Sequence, residues 1–163
     1  MELRDKISPE EFGRLMDLYE SAFPPDERRP REQMPPDDPA FRLWAVGDDG
    51  LLTTWQFDGY TYVEHFAVFP DRRGGGIGSR ALAAIEGPVI LEVEPPESGE
   101  MARRRIDFYR RNGFRLEDLK YIQPPYSPAS SPVELRLMVR GQLPVPLAEA
   151  AATLRRRVYL APD

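Results

Sequence analysis

The chain has 163 residues, 41% of them apolar and 30% charged, with a formal net charge of −5. That fits a single domain with its own core, and its overall field does not draw it to nucleic acid. It has no cysteine and one histidine, His65, which excludes disulfides, thiolate zinc sites, a cysteine nucleophile and any multi-histidine metal centre. No stretch reaches the ~20 apolar residues of a membrane helix. Met1 to Lys6 is charged and lacks the apolar run of a secretory signal, so the expected location is cytoplasmic.

In chain order, Leu3 to Ile7 suits a short opening strand. Ser8-Pro9-Glu10-Glu11 reads as a helix start, with Ser8 as cap, Pro9 in the first turn and Glu11 closing a capping box. Phe12, Leu15, Met16, Tyr19 and Phe23 then recur at helical spacing. Phe23 to Pro39 holds six prolines, which leaves room for no more than a short helical turn around Arg31 to Met34. A loop of that length points to function, here on the substrate side. Phe41 to Val46, Leu51 to Phe57 and Tyr60 to Phe69 are strand candidates joined by Gly47-Asp48-Asp49-Gly50 and Asp58-Gly59, and they predict an antiparallel meander.

The pattern then changes. A glycine-rich turn within Pro70 to Gly78 leads into a helix over Ile77 to Glu86, and Val89 to Glu94 follows as a strongly apolar strand. Strand, helix, strand with a tight first turn is a βαβ crossover, which requires a parallel pair in an otherwise antiparallel sheet. Glu100 to Arg111 reads as a second helix, stopped by Asn112-Gly113. Phe114 to Leu119 and Val133 to Val139 complete the strands around a Pro/Ser loop, Gln123 to Pro132. A terminal amphipathic helix over 145–160, marked by Leu147, Ala150, Ala151, Leu154 and Val158, packs on the domain or on a second subunit, so a homodimer stays open. The fold class is mixed α/β: one domain over 1–163 with a mostly antiparallel sheet of six or seven strands flanked by helices.

The centre of the chain is Arg73-Gly74-Gly75-Gly76-Ile77-Gly78-Ser79, between a strand and a helix. Glycines let a backbone approach a ligand closely, and successive amides at a helix start suit an anion. Charge-assisted hydrogen bonds at ~1.5–3 kcal/mol each outweigh the dipole contribution, so a pyrophosphate fits. A mere connector does not need three consecutive glycines. A Walker turn is excluded because no lysine is present. Gly76-x-Gly78-x-x-Ala81 matches a dinucleotide turn, with Glu92 and Glu94 downstream, but an antiparallel meander precedes it where that fold would open with its first strand.

Val63 to Leu82, VEHFAVFPDRRGGGIGSRAL, resembles the acetyl-CoA signature of the GNAT superfamily of N-acetyltransferases, with Arg73, Gly76 and Gly78 on its R/Q-x-x-G-x-G/A core. Ile106 to Phe114 is similar to the family's helix ending in Y-x-x-x-G-F. The resemblance implies a splayed parallel pair, Tyr62 to Val68 against Val89 to Glu94, with pantetheine lying between. The amides of Phe66, Ala67 and Val68 would pair with it, one of them holding the oxyanion, and Arg73 to Ser79 would wrap the pyrophosphate. Tyr109 falls where the family places a general acid for the departing thiolate, the alternative being a packed core tyrosine. Glu64 is the candidate base, the alternative being substrate orientation or a structural ion pair. Alternation sends Glu64 and Phe66 to one face of the strand and His65 and Ala67 to the other. Glu92 and Glu94 share a face of the next strand, where either could deprotonate or bind the amine. His65 reads as a packed, hydrogen-bonded residue.

The expected reaction is direct attack of an amine on acetyl-CoA in a ternary complex, without metal. The family's asparagine early in the Tyr109 helix is missing here, with Glu100, Met101 and Ala102 in its place. A catalytically silent CoA-binding domain on the same fold is therefore the alternative.

Overall fold

The computed structural model describes residues 2–161. Met1, Pro162 and Asp163, which the expected domain includes, lie outside the described residues. Eight strands form one sheet: β1 Leu3–Arg4, β2 Phe41–Val46, β3 Gly50–Phe57, β4 Tyr60–Val68, β5 Val89–Val93, β6 Phe114–Leu116, β7 Tyr121–Gln123 and β8 Val133–Arg140. Their order is β1-β2-β3-β4-β5-β8-β6, with β7 also on β8. Every pairing is antiparallel except β4 with β5. β7 is the strand that sequence reading missed. Its three residues before Pro124 are too short to show a period.

Four helices cover the faces: α1 Pro9–Ala22, α2 Ile77–Ala83, α3 Glu100–Arg111 and α4 Leu147–Thr153, the last continuing as a π-turn over Leu154–Val158. Ser8 caps α1 by accepting from the Glu11 amide at 3.1 Å, but the Glu11 carboxylate turns to Arg4 at 2.7 Å and does not close the box. α2 ends three residues earlier than its sequence suggests.

Strand alternation divides the core in two. Under α1 and α4, Tyr19 and Leu154 meet Trp55, Tyr62, Ile90 and Leu137. Under α2 and α3, Ile77, Leu82 and Ile106 meet Leu52, Val63, Leu91 and Met138. The two clusters share no residue, as a sheet with both faces covered requires. Among the described residues no helix is long and apolar enough to cross a membrane.

Two departures from ideal pairing shape the site. In the β3–β4 register Thr53 faces His65 and Thr54 faces Val63, so Glu64 has no partner and forms a β-bulge. In the β4–β5 register only Thr61–Val89, Tyr62–Ile90 and Val63–Leu91 pair. Beyond them the two strands run on unpaired with each other and leave an opening in the middle of the sheet.

Candidate active site

That opening is a cleft of about 700 Å³, within the range that holds small ligands. Its walls include the unpaired ends of β4 and β5, Phe23, Pro24 and Glu27 from the long proline loop, Tyr109 from α3, and Gln123 from β7.

The β4 wall offers backbone. A Cβ on Gly50 of β3 would lie 2.1 Å from the Ala67 carbonyl oxygen, so the peptide groups of Ala67 point at β3. By alternation those of Phe66 and Val68 point to the open side, and the Val68 carbonyl accepts from Arg73 Nε at 3.2 Å. Of the three amides expected to face the cleft, Ala67's is turned away, because β3 uses that edge.

The bulge also changes the side-chain faces. Glu64 and His65 both lie on the α1 side: Trp55 Nε1 donates to Glu64 at 2.7 Å, and the His65 ring meets Tyr19 edge-on at 4.8 Å between centroids. Phe66 lies on the other side, beside Phe108 near Gly78. The expected pairing of Glu64 with Phe66 is therefore corrected, since the extra residue at Glu64 shifts the alternation by one, while His65 and Ala67 share the α1 side as expected.

Both oxygens of Glu64 accept hydrogen bonds. Oε2 accepts from Arg29 at 2.6 Å and from the Tyr126 hydroxyl at 2.6 Å, while Oε1 holds Trp55. The Arg29 and Glu64 side chains are 5% and 0% exposed. Burial pushes the Glu64 pKa up, but Arg29, His65 and Tyr126 together outweigh it and hold the carboxyl below its ordinary value. Sequence reading missed Arg29 and Tyr126. Both come from loops whose path no periodicity encodes.

His65 donates from Nε2 to the Glu27 carbonyl at 2.7 Å, which leaves the lone pair on Nδ1. Burial lowers its pKa below the ordinary value, so the ring is neutral at pH 7. Two buried acceptor atoms of cleft-lining residues have no hydrogen-bond partner, His65 Nδ1 and Gln123 Oε1, whereas the Glu92 carboxylate is also hydrogen-bonded by the buried Tyr121 hydroxyl. Such atoms are costly unless something donates to them. Burial also raises the Glu92 pKa.

Tyr109 packs edge-on against Phe108 and Phe114. Among the described residues its hydroxyl makes no hydrogen bond, and it lines the cleft. Burial raises its pKa, so it stays protonated. Its ring is packed, and its hydroxyl is left without a partner beside the cleft.

The glycine turn continues from Arg73 onto the surface. Gly74 and Gly76 have φ of +91° and +72°, conformations that suit glycine. The amides of Gly74 to Ser79 have no backbone partner among the described residues. Gly78 has a different task. A Cβ there would come within 2.9 Å of the Phe108 ring, so this glycine lets α2 and α3 approach. Ile77 is a buried core residue.

Comparison with known proteins agrees with this geometry. The acetyltransferase (GNAT) domain family matches residues 39–116. A chain from Bacteroides thetaiotaomicron assigned to the GNAT family of acetyltransferases is 34% identical, with a TM-score of 0.87 over 98% of either chain. YjbC of Bacillus subtilis (strain 168), provisionally named an acetyltransferase, is 32% identical over 73 residues, which is 42% of this chain and 38% of that relative's length. A Bacillus subtilis acetyltransferase in complex with CoA shares the fold at 14% identity and a TM-score of 0.53, over 87% of this chain and 97% of the other.

Proposed function

This chain belongs to the GNAT family of acetyltransferases, and from that premise we propose that it transfers an acetyl group from acetyl-CoA to a primary amine by direct attack in a ternary complex. The observation that carries the reading is the chemistry of the two walls. One wall has open strand amides, and the other has two buried acceptors without donors, His65 Nδ1 and Gln123 Oε1. Open amides on a strand edge suit pantetheine, which pairs as an added strand would. Unpartnered acceptors suit an ammonium, which carries three N–H donors, better than a hydroxyl, which carries one.

In this proposal the Phe66 and Val68 amides hold pantetheine, and one of them stabilises the oxyanion. Arg73 and the turn Gly74 to Ser79 take the pyrophosphate, with Gly78 contributing through packing. Tyr109 gives its proton to the leaving thiolate. Glu64 fixes the acceptor side of the cleft through Arg29 and Tyr126, and the second lone pair of its Oε1 is the site left to take a proton.

Calorimetric titration with acetyl-CoA, followed by thiol release on adding amines, tests this. Saturable binding that is lost in Gly76→Asp, with amine-dependent thiol release, is the expected result. A folded protein that does not bind acetyl-CoA at millimolar concentration overturns the reading.

A further inference from the structure

The proposed reaction consumes one amine, yet the cleft carries negative charge that this reaction does not use. Resting on the acetyl-transfer reading above, we propose that the acceptor is of the α,ω-diamine class, and that Glu27, with Glu94 beside it, holds the second, non-reacting ammonium and so sets specificity.

Glu27 ends a short helical turn, Pro25–Glu27, in the proline loop. Its backbone is pinned in the cleft, because its carbonyl accepts from His65 Nε2 at 2.7 Å. Its half-buried carboxylate has neither a hydrogen bond nor an ion pair among the described residues. The neighbouring arginines are committed elsewhere: Arg28 to the Phe23 carbonyl, Arg29 to Glu64 at 2.6 Å, and Arg105 to Glu94 at 3.2 Å. The charges that act on the Glu27 carboxylate are those of Glu94, Arg105 and Asp26. Asp26 is taken up by the Ser131 amide at 3.0 Å, whereas Glu94 and Arg105 line the cleft from the end of β5 and from α3. The carboxylate therefore reaches toward those elements, over the cleft.

Two carboxylates and one guanidinium leave one negative charge unbalanced. The Arg105–Glu94 pair is 62% and 41% exposed, so it is weak and Glu94 can share an incoming cation. Burial and the like charge of Glu94 both press on Glu27, and a cation placed between the two carboxylates relieves that repulsion.

The same cleft holds a second, different set of acceptors. His65 and Gln123 are each 4% exposed, and their Nδ1 and Oε1 atoms lack donors. Gln123 Nε2 donates to Glu92 at 3.2 Å and to Tyr159 at 3.1 Å, which fixes the amide with Oε1 as its open end. These inner acceptors are neutral, and the outer pair is charged. The two sets suit the two ends of a diamine. The reacting nitrogen must lose a proton before it attacks, and a bare carboxylate beside it would favour the ammonium. Neutral acceptors hold the free amine without that penalty. The distal nitrogen never has to lose its proton, so it belongs with Glu27 and Glu94. A monoamine would leave that charge unanswered.

The test compares n-alkylamines with α,ω-diamines of matched chain length, following thiol release from acetyl-CoA. For the best-fitting length, the wild type should favour the diamine in kcat/KM by about 10-fold, the worth of one charge-assisted hydrogen bond. Added salt should shrink that ratio, because the carboxylates are partly in water. Glu27→Gln keeps the side-chain size and the carbonyl that holds His65. It should bring the ratio close to one, with the loss entering through the diamine's KM, as removal of a contact made equally in ground and transition states requires. Glu94→Gln releases Arg105 to neutralise Glu27 and should collapse the ratio in the same way, a check that stands if Glu27→Gln folds poorly. A full diamine advantage retained by either variant overturns the role of the residue changed. Equal kcat/KM for diamine and monoamine in the wild type overturns the inference and leaves acetyl transfer standing. Absence of thiol release by the wild type with every amine overturns the acetyl-transfer reading and this inference with it.

Discussion

At the scale of single residues, the Arg29–Glu64 pair dominates the site. Both charges are out of water, and removing one strands the other, which typically costs about 3–5 kcal/mol. Arg29→Ala is therefore expected to lower the unfolding free energy by that amount, read from the shift of the urea midpoint at pH 7. The pH dependence has a definite sign. The folded-state pKa of Glu64 is depressed, so its stabilising contribution is present above its ordinary value of 4.5 and is lost as the pH falls through the depressed value. Glu64→Gln should remove that part of the acid slope from a series of unfolding curves taken below pH 4.5. Gly78 shows how far sequence reading reaches. The motif marks it, but a motif does not say whether a glycine serves a ligand or a neighbouring helix. That depends on Phe108, about thirty residues on, and on how α3 crosses α2. Gly78→Ala should cost about 1–3 kcal/mol by overpacking, seen as a lower Tm in the absence of ligand.

At the scale of elements, the strands and helices were legible because each carries its own period and its own stop signals. The Asp58-Gly59 hairpin, the Pro9 helix start and the Asn112-Gly113 stop all lie where their local chemistry puts them. The bulge at Glu64 was not legible. It is a mismatch between two strands and leaves no mark on either one alone, yet it decides which faces Glu64 and Phe66 occupy. The parting of β4 from β5 was expected from the family resemblance, and the register locates it after Val63 and Leu91. The assignment of open amides can be tested directly with proline, which removes one N–H. Val68→Pro should weaken acetyl-CoA binding about five-fold, the worth of one ~1 kcal/mol hydrogen bond, with little change in Tm. Ala67→Pro should instead lower Tm by breaking the ladder to β3. Calorimetry paired with thermal melts distinguishes the two.

At the scale of the whole molecule, a ligand that fills the opening in the sheet binds only the folded chain. Acetyl-CoA at 100 times its Kd should add about 2.7 kcal/mol of stability, a rise of several degrees in Tm by scanning fluorimetry. The fold also joins two distant parts of the chain. Arg29 donates to the Val158 carbonyl at 3.1 Å, and Arg157 grips Asp38 at 2.9 Å. The proline loop and the C-terminal turn are thus buckled together over the same cleft. Cutting the chain after Arg157 would undo the Arg29 end of that buckle, leave Arg157 on Asp38, and take the Tyr159 hydroxyl from Glu92. Trimming at this end would therefore loosen one corner of the cleft while leaving every strand of its sheet in place.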